Sequence, residues 1–68
     1  MKKYPVKQAM AYLNMHMGRP CRMVDWRRFT INYKDVLIVI ISVKHNEIPR
    51  TYRLHIFVDG EPAGGFIL

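Results

Sequence analysis

Residues 36–43 read VLIVIISV, and this run decides the fold. It is rich in β-branched residues, is preceded by Asp35 and is followed by Lys44-His45-Asn46, a composition and length that predict a central β-strand rather than a helical turn. Side chains alternate along a strand, so Val36, Ile38 and Ile40 share one face, while Leu37, Val39, Ile41 and Val43 share the other. Both faces are apolar and both need a cover, yet only one amphipathic helix is legible in the rest of the chain. The second cover is therefore expected from another chain.

The helix lies upstream. Val6, Met10, Leu13 and Met17 recur at helical spacing with Ala9 and His16 beside them, Pro5 suits a first turn, and Gly18 with Pro20 stops it, so the spacing predicts a helix over about 5–17. Met15 lies off the apolar stripe and is expected to face outward. Gly18 to Asp25 reads as a basic connector or a short first strand. Strands are expected at about 26–33, 36–43, 51–58 and 61–68, with a tight turn at Lys34-Asp35 and a loop at 44–50 that Pro49 keeps out of a ladder interior. Asp59-Gly60 is a two-residue hairpin signal, because both central positions of a type I′ turn need positive φ. In the simplest register it pairs Ile56 with Ala63, Leu54 with Gly65 and Tyr52 with Ile67, leaving a groove for the helix. Arg53, His55, Phe57 and Phe66 would then occupy the opposite face. The expected fold is α+β: one domain over residues 1–68, with a single N-terminal amphipathic helix on a small antiparallel meander of three to five strands.

A chain of 68 residues is near the lower limit for independent folding, which again argues for association as a homodimer or as a subunit of a larger complex. One cysteine, Cys21, excludes an internal disulfide and suits a reducing, cytoplasmic setting. No run of apolar residues reaches the ~18 needed to span a bilayer, so no membrane role is expected. The net charge of +6 is unevenly spread. Residues 1–34 carry eight Lys and Arg against Asp25 alone, a balance of +7, whereas residues 35–68 carry three against four acids, a balance of −1. Such a field favours nucleic acid, another polyanion or an acidic protein surface as the partner.

Lys2, Lys3, Lys7, Arg19, Arg22, Arg27 and Arg28 are the candidate phosphate contacts, with Trp26 as a stacking platform and Phe57 as a weaker one. Against this, large aromatics in so small a chain are commonly core, and scattered arginines are commonly ordinary surface charge. The alternative is a protein-interaction module, such as a small inhibitor or adaptor of a phage or mobile element, docking on an acidic surface. Leu37, Val39, Ile41, Arg53 and Phe57 are the candidate partner interface for that role. A sheet that curls into a small barrel would bury the same strand without any partner.

Catalysis finds little support. The flanking Arg19 and Arg22 are expected to lower the Cys21 pKa, but no histidine-plus-carboxylate pair accompanies it. His16, His45, His55 and Cys21 do not stand at zinc-site spacing. Gly64-Gly65 precedes no helix and is not a phosphate loop. The expected function is thus non-enzymatic binding, with no cofactor, no metal and no small-molecule substrate.

Overall fold

The computed structural model describes residues 3–68. One helix, α1 (Val6–Met17), precedes four strands: β1 (Cys21–Ile31), β2 (Lys34–Val43), β3 (Thr51–Val58) and β4 (Glu61–Ile67). The strands form one antiparallel sheet in the order β1-β2-β3-β4, so every neighbour in space is a neighbour in sequence. This is an α+β arrangement, with α1 lying against one face of the sheet.

Local chemistry sets the element ends. The Pro5 carbonyl accepts from Gln8 N at 3.1 Å and Ala9 N at 3.3 Å, opening the helix. Gly18 closes it in the left-handed conformation (φ 63°), which glycine adopts without a Cβ clash, and its N–H donates to Met15 O. The β1–β2 turn falls at Asn32 and Tyr33, not at Lys34-Asp35 as the sequence suggested. Both turn residues have positive φ, 49° and 66°, as a type I′ hairpin requires. Asparagine tolerates that conformation, and Tyr33 accepts it at a tip where its ring stands almost wholly in solvent. Asp59 and Gly60, at φ 50° and 83°, form the expected second tight turn. The undecided segment before Trp26 is strand: β1 starts at Cys21 and pairs with β2 throughout, with a bulge between Met23 and Asp25.

The β3–β4 register differs from the expectation by one residue. Val58 pairs with Glu61 and Phe57 with Pro62, but a bulge then shifts the ladder so that Ile56 meets Gly64, His55 meets Gly65 and Leu54 meets Phe66. A slip of one exchanges faces. Gly65 consequently lies under His55, on the face that also carries Phe57 and, through the β2 pairing, Leu37, Val39, Ile41 and Val43. The helix packs there. Ala9 and Leu13 are the fully buried helix residues, Val6, Met10 and Met17 pack around the core, and Met15 points outward as expected.

Both ends of α1 are pinned to the sheet. Asp35 Oδ2 accepts from Tyr4 N at 3.2 Å, and Arg28 donates to the Tyr4 carbonyl. Beyond the helix C-terminus, Asn14 Oδ1 accepts from Cys21 N at 2.8 Å. Tyr4 and Tyr12 both pack on the Phe57 ring, each with centroids 5.7 Å apart, the second edge-on.

Two substitutions test this packing. A Cβ on Gly65 would lie 2.4 Å from His55 Nδ1, so Gly65→Ala should lose ~1–3 kcal/mol of stability through overpacking. Leu13→Ala should lose ~2–5 kcal/mol by opening a cavity beneath the helix. Urea denaturation followed by far-ultraviolet circular dichroism measures both.

Candidate functional site

The structure separates two surfaces that the sequence reading combined. Leu37, Val39, Ile41 and Phe57, expected at a partner interface, are core residues exposed by 1% or less. They lie on the helix-covered face, where the β3–β4 bulge places Gly65 opposite His55 instead of Leu54. Arg53 is also on that face, half-buried, and its Nε donates to His55 Nε2 at 3.2 Å. Phe57 is therefore unavailable for stacking.

The opposite face has no cover among the described residues. Its central strands present Val36, Ile38 and Ile40 from β2 and Leu54, Ile56 and Val58 from β3. Phe29 and Ile31 from β1 and Phe66 from β4 extend it outward. Phe29 is 40% exposed and Phe66 52%. Ser42 is on the same side at the far end, where Arg50 covers it by donating to Ser42 Oγ at 2.8 and 3.3 Å. The periodicity of residues 36–43 thus predicted an uncovered apolar face, and the structure identifies it as the Val36, Ile38 and Ile40 side.

The basic residues follow β1, an edge strand. Alternation places Arg22 and Arg27 on the open side of β1 and Trp26 and Arg28 on the helix side. Arg19 precedes the strand and Lys34 follows its turn, and both are exposed. Trp26 is 42% exposed. An edge strand is reached from both sides, so Arg22, Trp26 and Arg27 still border one exposed edge. Arg28 leaves the set, being a structural residue: its side chain is only 17% exposed, and its Nε lies 3.4 Å from Asp35 Oδ1 without hydrogen-bond geometry. Arg27 is partly engaged, with Nη1 2.8 Å from Asp25 Oδ1 in an exposed pair of small energetic value. Lys3 and Lys7 are exposed at the helix N-terminal end. Lys3 lines a cleft of about 650 Å³ with Tyr4, Tyr33, Asp35 and Asp59, so two carboxylates share its surroundings. Lys2 lies outside the described residues.

The remaining reactive groups are accounted for by packing. Burial pushes the Cys21 thiol pKa up and Arg53 only partly opposes this, which reverses the expectation that Arg19 and Arg22 would activate it. His16 stacks on Tyr12 with centroids 5.5 Å apart. His45 Nε2 is 2.9 Å from Thr51 Oγ1. Among the described residues, no three His, Cys, Asp or Glu side chains are grouped to hold a metal ion, and no helix is long and apolar enough to cross a membrane.

Comparison of the chain with protein-family models, curated proteins and solved structures finds no match.

Histidine 55 provides a pH test of this geometry. Burial lowers its pKa below the ordinary 6.5, and the nearby Arg53 and His16 lower it further. The unfolded chain then binds this proton more readily than the folded one. The contribution to stability is full above about pH 6.5 and is lost as pH falls through the folded pKa. The melting temperature should therefore fall between about pH 7.5 and about pH 5, and His55→Gln should flatten that dependence. Differential scanning fluorimetry across the range measures the slope.

Proposed function

We propose that this is a non-enzymatic basic binding protein whose ligand is nucleic acid or another polyanion, engaged along the β1 edge. One observation carries the reading: exposed positive charge follows this edge in excess, with Asp25 its only carboxylate and that one offsetting Arg27 alone. Arg19, Arg22 and Lys34 mark its length with Arg27 between them. Asp25 pairs with Arg27, Asp35 with Arg28, and Asp59 accepts from the Asp35 backbone N–H at 2.9 Å. From Arg22 to Ile31 an extended strand covers roughly 30 Å, several nucleotides of single-stranded backbone. Cations so arranged neutralise phosphates, and the half-exposed Trp26 ring offers a surface on which an unpaired base stacks. Lys3 and Lys7, at the helix start, add to the attractive field rather than to the edge itself.

A second reading is a protein-interaction module, an inhibitor or adaptor that docks on an acidic surface. The uncovered apolar sheet face favours it, and the same cations would steer the encounter.

Trp26 is the only tryptophan, so its fluorescence reports the edge directly. Titration with a single-stranded oligonucleotide should change that emission, with affinity falling as salt rises by a log–log slope of about −0.7 per phosphate contact. Arg22→Glu should reduce both affinity and slope, and Trp26→Ala should weaken binding by ~1–3 kcal/mol in a fluorescence-independent assay. Emission that ignores the oligonucleotide at every salt concentration rejects the polyanion reading and leaves the protein-docking one.

A further inference from the structure

We propose that the open sheet face is occupied by a second copy of this chain, giving a two-fold dimer with its sheets packed face to face and its helices outside. The argument concerns the apolar centre of this face, which Arg22 and Arg27 of the polyanion edge border from β1.

The first support is area. Four strands at about 4.8 Å spacing and roughly eight residues of strand length give a face of about 19 by 26 Å, on the order of 500 Å² in projection. Side-chain relief raises the accessible area towards the ~800 Å² per partner typical of a stable interface. The projected face, charged row ends included, falls within the ~300–600 Å² of the largest apolar patch of a typical monomer, a patch that is often a contact site.

The second support is how charge and size are distributed across the face. Three transverse rows can be followed through the sheet: Arg27-Ile38-Ile56-Gly64, Asp25-Ile40-Leu54-Phe66 and Phe29-Val36-Val58-Glu61. The middle two positions of every row are aliphatic, and charge is confined to the ends. A two-fold axis parallel to the strands, between the sheets, reverses each row over itself. Ile38 then meets Ile56 of the second copy, Ile40 meets Leu54, and Val36 meets Val58. At the row ends Arg27 meets Gly64, Asp25 meets Phe66 and Phe29 meets Glu61, so no two like charges face each other and the Arg27 stem has room over the glycine. Lys34, beside the turn, comes to the same end as Glu61 of the second copy, because the β1–β2 and β3–β4 turns share one end of the sheet. The basic β1 edge thus lies over β4, which carries no cation, instead of over a second β1. Sheets in sandwiches cross at about 30°, which loosens this matching towards the corners and preserves it at the centre.

The test is the native mass of the full chain by light scattering over a wide concentration range and at low and high salt. Twice the 8.1 kDa chain mass is expected, persisting at high salt because the contact is mainly apolar. Ile38→Asp and Ile56→Asp should each reduce the mass to one chain while circular dichroism stays unchanged. Met15→Asp, on the outer helix surface, should remain dimeric. If the aspartates unfold the chain, Ile38→Cys and Ile56→Cys in separate copies, both carrying Cys21→Ser, provide the second measurement. A thiol–thiol cross-linker long enough to bridge the roughly 10 Å between packed sheets should join them across the proposed axis, and failure to join them overturns the dimer. A wild-type mass of one chain throughout, as a face reserved for a foreign partner would give, also overturns it. So does a dimer that both aspartates leave intact. Binding of oligonucleotide at the Trp26 edge is read separately, so either proposal can fail alone.

Discussion

The rest of the structure depends on β2 having no polar face. A strand that is apolar on both sides cannot be solvated on either, and a short chain has few elements with which to cover it. The twelve-residue α1, about 18 Å long, covers one side. Placing it requires a smooth bed, which Gly65 supplies by leaving space for the His55 ring, and a large surface to pack on, which Phe57 supplies under Tyr4 and Tyr12. The side selected by α1 determines which residues become core and which remain available for contact.

Asp35 links that choice to the chain's turns. Its carboxylate faces Tyr4 N and Arg28, its N–H donates to Asp59, and its carbonyl accepts from Asp59 N at 2.8 Å. The helix start, the end of β1, the beginning of β2 and the β3–β4 turn therefore meet at one residue. The carboxylate is largely shielded from solvent, so its attraction for Arg28 is less screened than that of the exposed Asp25–Arg27 pair. This difference explains why two neighbouring arginines have different uses: Arg28 is structural, whereas Arg27 stays at the surface.

The two proposed activities occupy different parts of the sheet. The basic edge is a property of β1, and the apolar face is a property of β2 and β3. Pairing through that face would leave α1, Arg19 and Trp26 on the outside, with Arg22 and Arg27 bordering the seam. Assembly and ligand binding would then be compatible in one small molecule.

Much of this was legible in the chain itself. Periodicity located α1 and the last three strands to within two residues but missed the first five residues of β1, Gly18 was read as the helix stop and Asp59-Gly60 as a positive-φ turn, and the two-sided strand implied an uncovered apolar face. These features follow from local chemistry: side-chain alternation, helical spacing and the special freedom of glycine. The side of the sheet was not legible. A bulge between Ile56 and Phe57 moves Gly65 from Leu54 to His55, and the helix packs on the His55 face. With it, Leu37, Val39, Ile41 and Phe57 became core instead of interface. The division of the arginines was hidden for the same reason, since Arg28 and Asp35 are seven residues apart in sequence and meet only when β1 pairs with β2. The sequence by itself determined the elements, the apolar excess and the positive charge, because these are written in residue type and spacing. Only the tertiary structure decided which face was covered and which cations were free, because a one-residue change of register exchanges the two faces of a strand.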